Sequence, residues 1–374
     1  MCLLNLATAL SAGTCAYAAE GKWLDVNFPH DSPVLPVSFS LGPTTARVVS
    51  SSLALDLHAS VLLKNTAMKT LSGLTLRVEA QDLTPGGRGS VTVPSIEAHP
   101  GEAFPVRIDL ELRRPFSLGQ GEGAMVRVSL DCAVFSDLTA YGPDQLRTRR
   151  SLAVYELQAR RDREYIASLL ASRRFSDIRE ELNFGLEDYP QRLGLELLRR
   201  PSAEVQGREQ QIPVTTVPFP SSPVQALSGL AQVAGNEVRD PRIEIRNNSR
   251  RPVRSIEVGW VVRDDRGKEF VAGIVPASTP LAPVQTVSAG NLGVLRLSRS
   301  PGQSFSISSL LAFVDDVEFA DGKLWIPSRS DIDRATSDPV LRRALANSPE
   351  QQRLAQIYRR RGLAGLMEEL RRAN

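Results

Sequence analysis

Asp56, His58 and Ser60 occupy alternate positions of one short stretch and supply the residue types of a hydrolytic triad, in which a carboxylate orients an imidazole that deprotonates a hydroxyl. The spacing argues against that chemistry. Leu53, Leu55, Leu57, Ala59, Val61 and Leu63 alternate with them, so the run reads as a strand with one buried face. Side chains two apart on a strand project in parallel, about 6.6 Å from each other, and cannot orient one another. With Asp56, Asp137 and Asp316 are the carboxylates a fold could still gather for hydrolysis. Asp264-Asp265, Asp315-Asp316 and Asp321 offer oxygen ligands for calcium, but neighbours on a strand face opposite ways. Asp264-Asp265-Arg266-Gly267 and Asp321-Gly322 read more simply as turns. His30 and His99 stand beside prolines with no Cys or His at ligand spacing. Gly119-Gln120-Gly121-Glu122-Gly123 reads as a flexible loop, and no phosphate-cradling or zinc-binding motif occurs. No catalytic residue, metal ligand set or cofactor is assigned.

The chain has 374 residues, and at roughly 150 per domain it is long enough for two or three cores. Its 45 Lys and Arg against 42 Asp and Glu leave a net charge of +3. Arginine clusters at Arg147-Thr148-Arg149-Arg150, Arg160-Arg161-Asp162-Arg163 and Arg359-Arg360-Arg361 could meet phosphates. Interleaved acids on a helical pattern make them a solvated, ion-paired surface instead, which argues against a nucleic-acid partner. Met1 to Ala18 carries no charge, an apolar run and the small residues Ala16 and Ala18, the shape of a signal peptide. The expected location is the periplasm or the medium of a bacterium, with no transmembrane segment after the signal. Lipidation at Cys15 is the weaker alternative, because Ala12-Gly13-Thr14 is a poor match to a lipidation site. Cys132, the one cysteine of the mature chain, falls on the apolar face of a strand with Val126, Val128, Leu130 and Val134 and reads as a buried small side chain.

Period-two alternation at 53–64, 71–81, 104–112, 125–135 and 147–157 places a first β-sandwich over 34–157. The period then lengthens: Ile166, Leu169, Leu170, Ile178 and Leu182 predict a helical hairpin over 158–200. Five prolines within 201–224 predict a linker. Alternation resumes over 240–328, a second sandwich, and 331–374 is helical. The fold class expected is mainly β with α segments: two antiparallel immunoglobulin-like sandwiches, each followed by helices.

The two β segments look alike. Asn65 and Asn247, and Leu74 and Ile256, each lie 182 residues apart in similar strand-turn-strand contexts, which suggests a tandem repeat. Arg246-Asn247-Asn248-Ser249, the strand after it and Val262-Arg263-Asp264-Asp265-Arg266-Gly267 resemble bacterial immunoglobulin-like modules of the FxLYD type. Trp260-Val261-Val262-Arg263-Asp264 stands where that family has its aromatic-x-Leu-Tyr-Asp. The resemblance implies a binding or spacer module of an exported protein, with no catalytic residues to carry over.

Trp260 alternates with Ile256, Val258 and Val262 and reads as a core anchor. Trp325 differs. If Asp321-Gly322 is a two-residue turn, Phe319 pairs with Leu324 and Val317 with Ile326, leaving Glu318, Lys323 and Trp325 on the outer face. An exposed tryptophan there is a binding platform, unless the C-terminal helices cover it. The function expected is a non-catalytic exported binding or scaffold protein whose partner is a protein or envelope component. The alternatives are a hydrolase using gathered carboxylates and a structural spacer.

Overall fold

Alternating apolar residues build about half of the described residues into strands, and in the computed structural model those strands fall in two units, Met1–Ala153 and Val154–Asn374. The structure describes residues 23–80, 86–115, 125–182, 194–198, 209–277, 280–289, 293–298 and 306–373. The signal segment 1–18 with Cys15, and the glycine-rich loop 119–123, lie outside the described residues.

The first unit holds β1 (Leu24–Val26), β2 (Val34–Leu41), β3 (Thr45–Val49), β4 (Ser52–Asn65), β5 (Leu71–Glu79), β6 (Arg88–Val93), β7 (Ala103–Pro115), β8 (Val126–Phe135) and β9 (Ala140–Tyr141). One sheet has the order β1-β8-β5-β6, with β9 also on β8. In the other, β7 lines one edge of β4 while β2 and β3 follow each other along the opposite edge. Among the described residues, every pairing of this unit is antiparallel except β1 with β8, where Leu24 lies opposite Val126. Both sheets contribute to one core, with Leu55, Leu57, Val61 and Ile108 from one and Leu74, Leu76 and Val128 from the other.

Next come α1 (Arg149–Ala171), α2 (Phe175–Leu182), β10 (Gly194–Leu198), β11 (Gln210–Val217), β12 (Val224–Ala234), β13 (Glu237–Asn247), β14 (Val253–Asp264) and β15 (Glu269–Ala277). After them run β16 (Thr286–Ala289), β17 (Val294–Ser298), β18 (Ile307–Phe319), β19 (Leu324–Trp325), α3 (Arg329–Ala335), α4 (Pro339–Ala346) and α5 (Pro349–Ala373). One path, β10-β17-β13-β12-β11-β18-β14-β15, links the strands of the second unit around a single core containing Trp260, Phe270, Ile245 and Val317. The pairing of β11 with β18 is parallel, Val214 opposite Leu310. A second apolar layer covers the other side of β14 and β18, where Val261 and Phe313 pack with Phe219 and with Ile332, Leu341 and Leu345 of α3 and α4. The path of α5 breaks at Gly362, whose φ of 65° lies in the left-handed region that glycine tolerates best.

Each unit ties two of its chain segments together through a buried asparagine. Asn65 Nδ2 donates to the carbonyls of Lys69 and Ala98, both at 2.8 Å, while its Oδ1 accepts the Ala67 amide at 3.0 Å. Asn247 Nδ2 donates to the carbonyls of Arg251 at 2.9 Å and Ala282 at 3.1 Å, while its Oδ1 accepts the Ser249 amide at 3.0 Å. Both side chains are fully buried, so each carboxamide replaces water for several backbone groups at once.

Three expectations are corrected. The segment 147–157 is not a strand: α1 starts at Arg149, whose amide is capped by Asp144 Oδ1 at 3.0 Å. Its buried residues Leu152, Glu156, Ala159, Arg163 and Ile166 follow helical spacing, which the local alternation had masked. Within the expected hairpin over 158–200, the described helices are α1 and α2, whereas Gly194–Leu198 is a strand paired with β17. The linker over 201–224 contains β11, which lies between β12 and β18; Pro213 falls one residue before the ladder to β18 begins, so no bond there is lost.

Arg160, Arg161 and Arg163 of α1 are ion-paired as expected, but Arg161 and Arg163 are largely buried rather than solvated, because α2, α3 and α5 close over them. Asp162 is fully buried and accepts from Arg161 Nε at 2.9 Å, from Arg329 Nε at 3.0 Å and from Ser348 Oγ. Arg163 reaches Glu156 at 3.4 Å and Glu350 at 3.6 Å, and Arg353 clasps Glu350 through two nitrogens at 2.8 Å. The Arg329 guanidinium also lies 4.7 Å from the centre of the Tyr165 ring. Burial alone would raise the Asp162 pKa, but Arg161 and Arg329 outweigh it and hold the carboxyl below its ordinary range. A carboxylate with a depressed native pKa adds stability above its unfolded pKa near 3.9 and loses it as pH falls through the native value. Asp162→Ala is expected to cost about 3–5 kcal/mol by chemical denaturation, because it strands two arginines. It should also flatten the loss of helical signal below about pH 4; a change under about 1 kcal/mol would contradict the role given to this cluster.

Candidate functional site

The hairpin carrying Glu318, Lys323 and Trp325 closes differently from the two-residue turn expected of Asp321-Gly322. The amide of Phe319 donates to the carbonyl of Lys323 at 2.9 Å, so Ala320, Asp321 and Gly322 form a three-residue loop, with Gly322 at φ 78°. One extra loop residue shifts the register by one, and a one-residue shift exchanges the two faces of a strand. Val317 therefore lies opposite Trp325 and Glu318 opposite Leu324. Lys323 is exposed, while Glu318 is held by Arg254 at 3.1 Å and Ser255 at 3.0 Å. Trp325 is half-buried, its ring 6.4 Å from that of Phe219 and packed between the two apolar layers. The hairpin thus keeps Trp325 and Lys323 near each other in sequence but does not gather all three residues on one face.

His58 has two carboxylate neighbours rather than a hydroxyl. Its Nδ1 is 2.7 Å from Asp109 Oδ1 on β7, the residue directly opposite, and its Nε2 is 3.4 Å from Asp56. Ser60 lies opposite Arg107, so the strand presents an open ion pair and no relay. The other carboxylates stand apart. Asp137 lies in the β8–β9 turn, where the Lys69 ammonium holds its carboxyl down at about 2, and Asp316 is buried in the second unit. Asp264 accepts the amides of Arg266 and Lys268 at 3.0 and 2.8 Å as a turn residue. Among the described residues, no three His, Cys, Asp or Glu side chains converge as a metal site. Cys132 is buried, and burial pushes its thiol up to about 12. Trp260 lies in the core.

The first unit carries a cleft that no sequence motif announced. It has a volume of about 520 Å³ and is lined by Asn27, His30, Arg77, Ser129, Asp131 and Gln145, with Phe28 and Leu130 as apolar floor. Through Arg77 and Gln145 it continues into a hollow of about 350 Å³ beside Arg88, Ser90 and Leu146. Strand β5 presents Arg77 opposite Ser129 of β8. Asp131 sets the rim: its two carboxylate oxygens accept the amides of Gln145 and Leu146 at 3.0 and 3.1 Å and pin that loop over the sheet. Arg77 is steadied by Glu79 at 2.9 Å and by the Gln145 side chain. His30, Ser129 and Asp131 share the cleft, but the Asp131 carboxylate is committed to backbone amides and cannot orient His30. The lining can hold a polar ligand by hydrogen bonds from Arg77, Gln145, Asn27 and Ser129. Alternation alone shows Arg77 as an ordinary outward charge, so only the folding of the 142–147 loop over it reveals the hollow.

The hydrogen bond to Asp109 raises the His58 pKa most; limited burial opposes it, and Asp56 adds to it. A histidine whose pKa rises on folding adds stability below its unfolded pKa near 6.5 and loses it as pH climbs through the native value. An NMR titration is expected to place His58 above 6.5, with Asp109→Asn lowering it. Coincident titration curves for the two proteins would contradict the pairing.

No family model and no curated protein matches this chain. Among solved structures, it is similar to a two-domain protein of unknown function from Bacteroides fragilis, at 8% identity over 78% of this chain and 92% of that one, with a TM-score of 0.18. It is also similar to vicilin from hazelnut, Corylus avellana, at 12% identity over 72% and 81% of the two chains, with a TM-score of 0.08.

Proposed function

We propose that this chain is an exported, non-catalytic binding or scaffold protein of the bacterial envelope, built from two copies of one immunoglobulin-like β-sandwich module. The observation that carries the reading is the register of two strand pairs. In β5–β8, Leu71 lies opposite Phe135, Leu74 opposite Ala133, Thr75 opposite Cys132, Leu76 opposite Leu130 and Arg77 opposite Ser129. In β14–β18 the corresponding pairs are Val253 and Phe319, Ile256 and Val317, Glu257 and Asp316, Val258 and Val314, Gly259 and Phe313. Both ladders are interrupted at the same two places, and the extra residue at the second is an aspartate each time, Asp131 and Asp315. Irregularities of this kind are specific features of a fold and do not recur pair by pair through propensity alone. The buried asparagines and the parallel strands β1 and β11 support the same reading. The uncharged, apolar Met1–Ala18 segment supports export.

The copies differ where binding would occur. Within the shared register, the second has glycine opposite phenylalanine: a β-carbon on Gly259 would lie 2.2 Å from Phe313 Cζ, so the ring occupies the space and α3 and α4 seal it. The first has Arg77 opposite Ser129, and the cleft stays open. One scaffold with a sealed face and one with a polar hollow is the division of labour of a binding protein. Its partner would be an envelope protein or other envelope component that places hydrogen-bonding groups on Arg77 and Gln145. A photo-crosslinking residue at Gln145 in intact cells is expected to capture one defined species that a probe at exposed Met68 does not, and Arg77→Ala should abolish the capture. Identical captures from both positions, or recovery of the chain in the cytosolic fraction, would overturn the reading.

A further inference from the structure

The cleft at Arg77 is the counterpart of a face that the second unit fills with apolar side chains. The ladders set the correspondence: Arg77 and Ser129 stand where Gly259 and Phe313 stand, and Glu79 and Arg127 where Val261 and Leu311 stand. On the third strand, Ser90 lies opposite Arg77 as Ile274 lies opposite Gly259, and Arg88 opposite Glu79 as Val271 opposite Val261. The parallel strands agree, because Leu24 opposite Val126 matches Val214 opposite Leu310 and puts Asn27 in the place of Val217. Val217, Val261 and Phe313 are buried beneath α3 and α4, with Val271 and Leu311 packed against them. Their counterparts in the first unit are polar or charged, and what that face offers is hydrogen-bond donors. Arg77 donates to Glu79 and to Gln145 Oε1, while its Nε has no partner. Asn27, Ser129 and His30 line the same cleft, and Arg88 and Ser90 the hollow beyond it.

We infer that the ligand of this cleft is a small hydroxycarboxylic acid, a sugar acid in size, whose carboxylate bonds the Arg77 guanidinium where the two hollows meet and whose hydroxyls reach Asn27 and Ser129. This rests on the proposed function and names the chemistry its surface selects. The carboxylates around the space are already engaged: Glu79 accepts from Arg77, Asp131 from the amides of Gln145 and Leu146, and Asp25 lies 3.7 Å from Arg127. Acceptors are therefore what the lining lacks. A guanidinium bonds an ionised carboxylate more strongly than a neutral oxygen such as that of Gln145, which selects an acid over an uncharged sugar. Glu79 and Asp131 on either side limit the charge the site accepts, so a monoanion fits and a dianion such as phosphate is repelled. The volume of about 520 Å³ lies in the range of small-molecule sites, and Phe28 and Leu130 supply the apolar floor such sites have.

Sodium glucuronate is the probe, titrated into the full chain by isothermal calorimetry beside glucose and inorganic phosphate. Saturable binding of glucuronate is expected, weakened about tenfold or more by Arg77→Gln, which removes the charge that meets the carboxylate. Arg47→Gln, on exposed β3 away from the cleft, should leave it unchanged. Circular dichroism establishes that the variant folds, and Ser129→Leu, which narrows the cleft from the facing strand, gives the same test if it does not. No saturable binding of glucuronate, equal binding of glucose, tighter binding of phosphate, or equal glucuronate binding by a folded cleft variant would overturn the inference. The proposed function fails separately. Capture at Gln145 in cells with no glucuronate binding removes the ligand class alone, and glucuronate binding with no capture removes the envelope partner alone.

Discussion

One buried carboxamide in each unit fixes the turn from which the other strands take their places. The strand that ends at Asn65 must reverse into β5 while a second segment, at Ala98, passes beside the reversal. Backbone groups brought together there cannot reach water, and each one left unpaired would cost about 1–3 kcal/mol. A side chain with two donors and an acceptor on one rigid plane satisfies three of them, which neither a leucine nor a serine could do. Asn247 meets the same demand between β14 and Leu281-Ala282. With that crossing fixed, the register of β5 on β8 and of β14 on β18 follows, and with it the positions of Arg77 and Phe313.

The second unit shows how such a scaffold can be closed. Phe313, Phe219 and half-buried Trp325 give the outer face an apolar coat, and α3 and α4 rest on it. A further layer, from Ile166, Ile178, Leu354 and Leu366, joins the helices to one another. The ion cluster around Asp162 belongs to that layer. Its arginines reach backbone as well as carboxylate, Arg161 donating to the carbonyls of Pro327 and Ala346 at 3.1 and 3.2 Å, so it ends several helices at once. Buried pairs of this kind specify an arrangement more surely than they stabilise it, because desolvation offsets most of their attraction. The first unit has Ser129 where the coat would start, and its face remains polar.

Much of the strand layout was legible in the sequence, because one face of each strand is buried and the side-chain period is two. Leu53 to Leu63 show it without ambiguity, and so does the core position of Trp260; in β8 the alternation holds only as far as Leu130, because the extra residue Asp131 turns the strand over, so that Ala133 and Phe135 join the core in place of Cys132 and Val134. What was not legible depends on residues distant in the chain. The helix start at Arg149 depends on Asp144 as its cap, and Leu152 and Val154 on one turn imitate a strand. The register at Trp325 depends on whether its turn has two residues or three, a choice that Asp321-Gly322 alone does not make. The polar composition around Pro213 suggests a linker, yet its neighbours on both sides supply the ladders that make it a strand. The cleft at Arg77 needs a loop pinned by Asp131 of the neighbouring strand β8, which no local pattern reports.

The account stands on the claim that the two halves are one module held by the same buried asparagine. Native-state hydrogen exchange of the full chain, compared with Asn65→Ala and with Asn247→Ala, tests it most directly. Each substitution is expected to lower the opening free energy of the core strands in its own unit by about 2–3 kcal/mol, the two losses agreeing to within about 1 kcal/mol. Protection unchanged by either substitution, or lost in one unit and kept in the other, would contradict it.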